Sequence, residues 1–227
     1  MPGLVSELET EDPCQQLNKK DTSSVFTSKI VDLTNKAAVQ NFESAYIMYE
    51  NAVEGTSFSD LLNGTPEKKE VYIDYGGALT QAVSNTIGIL HCHLDDGTTF
   101  KVFSFSDIIA LGEIVKRSTR PTAEFAIYVT TSSGTFAIKV NNRMLLNNKL
   151  DMLKFGQNSF EEDFENKFKI TDNLETQKLG FLQFINTIRG VGNPGIDFYQ
   201  KDVTTGKWNK LTLDPTNNNR IIETPCN

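Results

Sequence analysis

The chain has 227 residues, a hydrophobic content of 38% and a formal net charge of −7 at pH 7. This length suffices for one large domain or two small ones with a sizeable core. The acidic balance argues against a nucleic-acid partner, because phosphate binding requires a basic face. No apolar run approaches the roughly 20 residues of a membrane-spanning helix, so we expect no membrane span and a soluble chain.

The apolar periodicity and the turn residues predict the order of the elements. They indicate a helix over 23–40, strands over 41–50, 70–75 and 86–93, a helix over 105–117, strands over 124–131 and 135–141, helices over 144–154, 159–169 and 174–189, and strands over 196–201, 207–213 and 220–223. The polar stretch 51–69 is typical of a loop. This alternation has no strict βαβ rhythm and predicts an α+β fold with helices packed on a mixed central sheet.

Three parts are expected along the chain. Residues 1–22 are polar and acidic, which predicts a poorly ordered leader and does not resemble a signal peptide. Residues 23–154 would form the core, and 155–227 a helical and β-hairpin extension packed on it. The compartment stays open, and the sequence is also compatible with a C-terminal module of a longer exported protein.

The chain's only two histidines, His91 and His93, lie one residue apart at the end of an apolar run. Alternate side chains of a strand point to opposite faces, so both imidazoles would project together and Cys92 would point away. Asp107 lies at the start of the next predicted helix, which could bring its carboxylate back over the strand end. Two histidines, one carboxylate and an open position for water are typical of a catalytic zinc centre.

A structural interpretation competes with the metal site. Ser104-x-x-Asp107 before an apolar-periodic run is also the pattern of an ordinary helix cap. The two histidines could likewise be a partly exposed pair without a role. The conjunction of both patterns at one strand–loop–helix connection favours the metal site.

These motifs resemble the signature of the JAMM (MPN+) zinc metalloproteases, which is a glutamate on an early strand, His-Ser/Thr-His-Pro, and Ser-x-x-Asp opening a helix. The phrase FSFSDI is similar to a form common in bacterial members, especially branches in which such a domain ends a longer protein. The resemblance covers about residues 25–140 and implies a JAMM-like, cytidine-deaminase-like core. This chain departs from the signature in having Cys92 and Leu94 within the histidine motif, and ten residues between His93 and Ser104, a longer spacing.

The resemblance implies a role for each matching residue. His91, His93 and Asp107 would bind Zn²⁺, and Ser104 would hydrogen-bond the oxyanion or the zinc-bound water. Glu43 would be the general acid/base that passes a proton from water to the leaving amine.

Glu67 and Glu70 are alternatives to Glu43 as the acid/base. The implied activity is hydrolysis of an amide bond in a peptide or protein substrate, by a peptidase or isopeptidase. The alternative is a non-catalytic JAMM-like binding or interaction module. Neither the substrate nor the oligomeric state can be read from the residues.

The sequence carries no other hydrolase signature. It contains no H-E-x-x-H, no G-x-S-x-G, no Walker loop and no zinc-deaminase motif, and it lacks the further histidines of an amidohydrolase. A Cys–His nucleophile is disfavoured because Cys92 should point away from both imidazoles. Cys14 and Cys226 lie near the two termini and could pair, which would imply an oxidising compartment, or could both be free.

Overall fold

The structure is a computed structural model that describes residues 12–51, 55–73 and 83–226. Over these ranges the chain folds as a mixed nine-stranded sheet flanked by six α-helices. The predicted α+β class, with helices on a mixed central sheet, is therefore confirmed.

The helices and strands are numbered in chain order. The helices are α1 (Pro13–Asp21), α2 (Ser24–Val39), α3 (Phe105–Arg117), α4 (Arg143–Phe155), α5 (Gln157–Glu165) and α6 (Leu174–Thr187). The strands are β1 (Ser44–Asn51), β2 (Gly55–Phe58), β3 (Leu62–Asn63), β4 (Thr86–Cys92), β5 (Ala126–Thr131), β6 (Gly134–Val140), β7 (Ile196–Lys201), β8 (Trp208–Asp214) and β9 (Asn217–Pro225).

The strand order in the sheet is β2-β1-β4-β5-β6-β7-β8-β9, and β3 also pairs with β1. Strands β4 and β5 are parallel, whereas the other described pairs are antiparallel. A parallel pair needs a crossover connection, and here the crossover contains α3. The N-terminus of α3 therefore follows directly on the loop that leaves the carboxyl end of β4.

Helices cover both faces of the sheet. Helices α1 and α2 pack on one face, where Leu90 and Cys92 of β4 are buried. Helices α3 to α6 pack on the other, where Ile89 and Val129 are buried. Every residue of β4, β5 and β6 is buried, as expected for strands in the middle of a sheet that helices cover on both faces.

The predicted leader is wrong for residues 13–21, which form α1. Leu17 of this helix is fully buried, and Cys14 forms a disulfide with Cys226 in the described structure. These contacts are long-range, so the polar composition of the segment did not indicate them. Residues 1–11 of the predicted leader lie outside the described residues.

Two further predictions differ from the structure near β1. The predicted loop 51–69 contains the short strands β2 and β3. Residues 70–73 of the predicted strand 70–75 have no regular secondary structure, and 74–75 lie outside the described residues. Strand β1 already pairs with β2 and β3 on one edge and with β4 on the other, so it offers no free edge.

The segment predicted as an extension, 155–227, contributes both to the central sheet and to the helical layer that contains α3. Strand β7 pairs with β6, so β7, β8 and β9 continue the same sheet. Phe164 and Phe184, from α5 and α6, pack in the same cluster as α3. None of the helices in the described ranges is long and apolar enough to cross a membrane.

Candidate metal centre

The carboxyl end of β4 presents both histidines on the face covered by α3. His93 lies one residue beyond the strand, but its backbone N–H still donates to the carbonyl oxygen of Thr130 in β5 at 3.2 Å. The chain therefore stays extended through both residues, and alternation puts the imidazoles on one side. Cys92 is buried against α2 on the opposite face.

The two imidazoles and Asp107 converge at one point. The Nε2 atoms of His91 and His93 are 3.1 Å apart. Asp107 Oδ1 lies 3.2 Å from His91 Nε2, and Asp107 Oδ2 lies 3.7 Å from His93 Nε2. Zinc–ligand bonds of about 2.0–2.2 Å at tetrahedral angles place neighbouring ligand atoms roughly 3.3–3.6 Å apart. The three residues thus form a possible metal-binding group, in which one ligand atom from each residue lies within 4.8 Å of the others.

A hydrogen bond to the backbone orients the His93 ring. Its Nδ1 lies 2.8 Å from the carbonyl oxygen of Phe100. A carbonyl oxygen only accepts, so Nδ1 carries the hydrogen and the neutral ring presents a lone pair at Nε2. That lone pair faces His91 Nε2 at 3.1 Å. His91 Nδ1 is buried and meets no hydrogen-bond partner among the described residues.

Asp107 caps α3 and faces the histidines at the same time. Its Oδ2 accepts from the backbone N–H of Ser104 at 2.7 Å and from the Ser104 hydroxyl at 2.8 Å. Its Oδ1 is the atom nearest His91. Burial by itself would raise the pKa of Asp107, but His91, His93 and the Ser104 N–H outweigh it and hold the pKa well below its ordinary value. The carboxylate is therefore ionised, the form that binds a cation.

The Ser104 hydroxyl is engaged with Asp107 in this structure. Its Oγ is also 2.8 Å from Ser106 Oγ, and Ser106 is exposed on the first turn of α3. Asp107 caps α3 through Oδ2, and its Oδ1 faces His91. The helix-cap and metal-ligand interpretations of the Ser-x-x-Asp motif are therefore compatible. Ser106 was not singled out from the sequence, although it lies within the motif.

Glu43 lies directly before β1 and close to His93. Its backbone N–H donates to the Lys69 carbonyl at 2.7 Å, and its carbonyl accepts from the Gly64 N–H at 2.8 Å. These bonds hold the turn that aims the carboxylate, whose Oε1 lies 3.8 Å from His93 Nε2. The pKa of Glu43 is raised to about 7, mainly by burial; His93 acts to lower it, and the charge of Asp107 adds to the rise.

The two alternative glutamates are placed differently. Glu67 and Glu70 are both exposed, although Glu70 lines the cleft and its charge adds to the raised pKa of Glu43. The side chain of Glu43 is only 9% exposed. Of the three, Glu43 is the one with a described contact to the histidines.

A cleft of about 820 Å³ opens over the centre. Glu43, His91, His93 and Asp107 all line it, together with apolar walls such as Phe100. The volume is in the range of ligand-binding clefts, and a few polar groups converge in it. The cleft continues along α3 towards charged residues at its far end.

The centre therefore consists of two imidazole nitrogens, one ionised carboxylate and a buried glutamate at one end of this cleft. Comparisons of the chain with known protein families, with curated proteins and with solved structures find no match. The donor set of two nitrogens and one oxygen fits zinc and other first-row divalent ions.

Proposed function

We propose that the protein is a zinc-dependent hydrolase of amide bonds, acting as a peptidase or isopeptidase. The observation that carries the proposal is the convergence of His91 Nε2, His93 Nε2 and Asp107 Oδ1, with the Glu43 carboxylate beside them. The resemblance of the motif to the JAMM signature supports the same class of reaction.

Three residues would hold the metal. His93 is oriented by Phe100 and Asp107 by Ser104, so two of the three ligands have an outer partner that fixes them. Bound Zn²⁺ would lower the pKa of a water towards neutrality and polarise the substrate carbonyl. The burial of the histidines limits access of bulk water to the ligand side of the centre.

Glu43 would move the proton. A pKa of about 7 means that the carboxylate can take a proton near neutral pH and give it up again to a leaving amine. Its Oε1 lies 3.8 Å from His93 Nε2, which supports a role beside the proposed ligands. A positioned acid/base of this kind contributes roughly 10²–10⁴-fold in rate.

Ser104 would serve first as an orienting group. The Ser104 hydroxyl donates to Asp107 Oδ2, so it must leave this oxygen before it can reach an oxyanion. The backbone N–H of Ser104 would still donate to Asp107 Oδ2. The serine therefore can support a tetrahedral oxyanion without releasing the carboxylate.

Metal content tests the first half of the proposal. We expect about one zinc per chain in the wild type by elemental analysis, and none in the His91→Ala/His93→Ala double variant. Protein that neither contains zinc nor takes it up on addition would contradict the proposal. A non-catalytic binding module would then be the better interpretation.

Cleavage tests the second half. We expect the zinc-loaded wild type to cleave members of a mixed peptide library, read by mass spectrometry. Glu43→Gln should keep zinc and lose at least about 100-fold in rate. Glu67→Gln is the matched control, because this exposed glutamate should be dispensable. A zinc-loaded wild type without hydrolysis, or unchanged hydrolysis in Glu43→Gln, would sink the assignment.

A further inference from the structure

Apolar side chains line the cleft directly beside the histidines. Ala45 of β1 and Ile89 of β4 both line it, and both are buried in the core cluster on the α3 side of the sheet. Ala45 pairs with His91 across the β1–β4 ladder, and Ile89 precedes His91 by two residues, so all three side chains point to one face. Ala45 and Ile89 therefore form an apolar floor next to the metal-binding group.

Helix α3 supplies one wall above this floor. Ile109 and Ala110 line the cleft and are partly buried against the same core cluster. Ala110 follows Asp107 by three residues, which is roughly 4.5 Å along the helix axis. Residues three apart are neighbours on a helix surface, so Ala110 lies next to the proposed ligand. The short alanine side chain leaves space at this point of the wall.

The segment 70–73 supplies a second wall. Val71 and Ile73 line the cleft and are also partly buried against the same core cluster. The backbone N–H of Val71 donates a hydrogen bond to the Glu43 carboxylate, which ties this segment to the acid/base candidate. Each wall therefore begins at a group of the candidate centre, one at Asp107 and the other at Glu43.

The apolar part of the cleft is short. Along α3 the lining changes from Asp107 to the apolar pair Ile109 and Ala110, and then to Glu113. Asp107 and Glu113 are six residues apart, which is roughly 9 Å along the axis. Alternate residues of an extended peptide point to the same side and lie about 7 Å apart. The apolar stretch thus has room for one peptide side chain and not for a longer apolar segment.

We propose that this stretch is a pocket for one large apolar side chain of a peptide, carried by a residue directly next to the hydrolysed bond. Removal of the apolar floor and walls from water favours such an occupant. Ala110 sets the size of the side chain, because it is the smallest residue of the two walls. The position next to the bond rests on the proposed function, whereas binding of the side chain does not.

Binding can be measured without zinc and without cleavage. The probes are acetylated and amidated tripeptides with glycine, alanine, leucine or phenylalanine between two glycines, titrated into the metal-free full chain by NMR. We expect the leucine or phenylalanine peptide to bind at least about tenfold more tightly than the glycine peptide, because most of a large apolar side chain leaves water. Raised salt should not weaken this preference, since no ion pair contributes to it.

Two variants change the walls. Ala110→Leu fills the space next to Asp107, so the preference for leucine and phenylalanine should be lost while the glycine peptide binds as it does to the wild type. Ile73→Ala shortens the second wall and lies outside the helices, and it should reduce the preference at least about threefold. The matched control is Ala38→Leu, the same substitution at an exposed position of α2 on the opposite face of the sheet, which should change nothing.

Cleavage products show on which side of the bond the apolar residue lies. In the mixed peptide library, we expect zinc-dependent cleavage next to large apolar residues, shifted towards small residues in Ala110→Leu.

Equal affinity for the glycine, leucine and phenylalanine peptides, no binding of any probe, or an unchanged preference in folded Ala110→Leu or in Ile73→Ala would overturn the pocket. A preference that Ala110→Leu removes, in a chain that takes up no zinc, would leave the pocket standing and the proposed hydrolase rejected. Zinc-dependent cleavage at bonds without a large apolar neighbour would do the reverse.

Discussion

The Sγ atom of Cys92 accepts a hydrogen bond from the backbone N–H of Ser44 at 3.3 Å. Cys92 lies between the two histidines in sequence but on the opposite face of β4, and Ser44 directly follows Glu43. Ala45 also pairs with His91 across the antiparallel β1–β4 ladder. The pairing of β1 with β4 and the hydrogen bond to the Cys92 thiol thus together set the distance between Glu43 and the histidines.

Cys92→Ala tests whether the thiol is a structural support. The substitution removes a fully buried group and the acceptor of the Ser44 N–H, so we expect the free energy of unfolding to fall by about 1–2 kcal/mol. Zinc stoichiometry should not change, because the thiol faces α2 and not the imidazoles. Urea unfolding and elemental analysis measure the two quantities. A folded Cys92→Ala protein that had lost its zinc would instead place the thiol among the ligands.

Ser104→Ala tests how Asp107 is oriented. The variant keeps the backbone N–H that donates to Asp107 Oδ2 but loses the hydroxyl that donates to the same oxygen. We expect zinc affinity to fall about tenfold, as for outer partners of metal ligands, measured by competition with a chelating dye. Ser106→Ala is the control, because Ser106 contacts Ser104 and not Asp107 in the described hydrogen bonds. Equal zinc affinity in wild type and Ser104→Ala would show that the backbone N–H suffices.

The local parts of this structure were predictable from the sequence. Alternation along a strand is a local rule, so the convergence of His91 and His93 follows from their spacing. The capping pattern is local as well, and the helix predicted over 105–117 coincides with α3. The hairpin of β5 and β6 follows from its alternation and its Gly134 turn.

The remaining parts depend on contacts between distant segments. Helix α1 has one fully buried apolar residue, Leu17, and is held by the disulfide to Cys226, so its own composition does not indicate it. Edge strand β2 is only partly buried and lacks a clear pattern. The ion pair between Lys154 and Glu113 requires α4 to pack on α3, which no local pattern in either helix predicts.

Reduction of the Cys14–Cys226 disulfide should destabilise the fold and leave the metal centre intact. The bond joins α1 to the end of β9 across a sequence separation of 212 residues, on the face of the sheet opposite the histidines. Removing such a cross-link typically costs about 2–4 kcal/mol. We expect Cys226→Ser to lower the melting temperature in oxidising buffer, and a reducing agent to lower the wild type to the same value. Equal melting temperatures for the wild type and Cys226→Ser in oxidising buffer would indicate that Cys14 and Cys226 are not linked.

Glu113→Gln should reduce stability in a pH-dependent way. The lowered pKa of Glu113 means that its ionised form stabilises the folded state, and this contribution is present above the ordinary pKa of 4.5. It is lost as the pH falls through the lowered value. We therefore expect the variant to be less stable than the wild type by about 1 kcal/mol at pH 7, because the partners Lys154 and Arg117 are both partly exposed. The difference should close as the pH falls below 4.5.

The matched control for Glu113→Gln is Asp151→Asn. Asp151 pairs with Lys116 on the same two helices, but its side chain is largely exposed. Its substitution should change the free energy of unfolding less than Glu113→Gln does at pH 7. A constant difference between Glu113→Gln and wild type from pH 7 to pH 3 would contradict an ionised Glu113 as the cause.

Gly88→Ala should be among the most damaging substitutions in the sheet. Gly88 pairs with Ala126 in the parallel β4–β5 ladder, and an added Cβ would lie 1.7 Å from the Ala126 carbonyl oxygen and 2.8 Å from Met48 Cε. The first of these atoms is backbone and can move only if the strands separate. We expect a loss of at least about 3 kcal/mol in urea unfolding, or no folded protein.

Gly112→Ala separates a backbone clash from a side-chain clash. Its added Cβ would meet the tip of the Leu150 side chain at 2.5 Å, which can rotate away, and alanine is favoured over glycine within a helix by about 1 kcal/mol. The destabilisation should therefore be much smaller than for Gly88→Ala. Because the β4–β5 register also positions His91 opposite Val129, zinc content in Gly88→Ala should fall in parallel with the folded fraction. A stable, zinc-loaded Gly88→Ala protein would contradict the close approach of β4 to β5 on which the geometry of the centre depends.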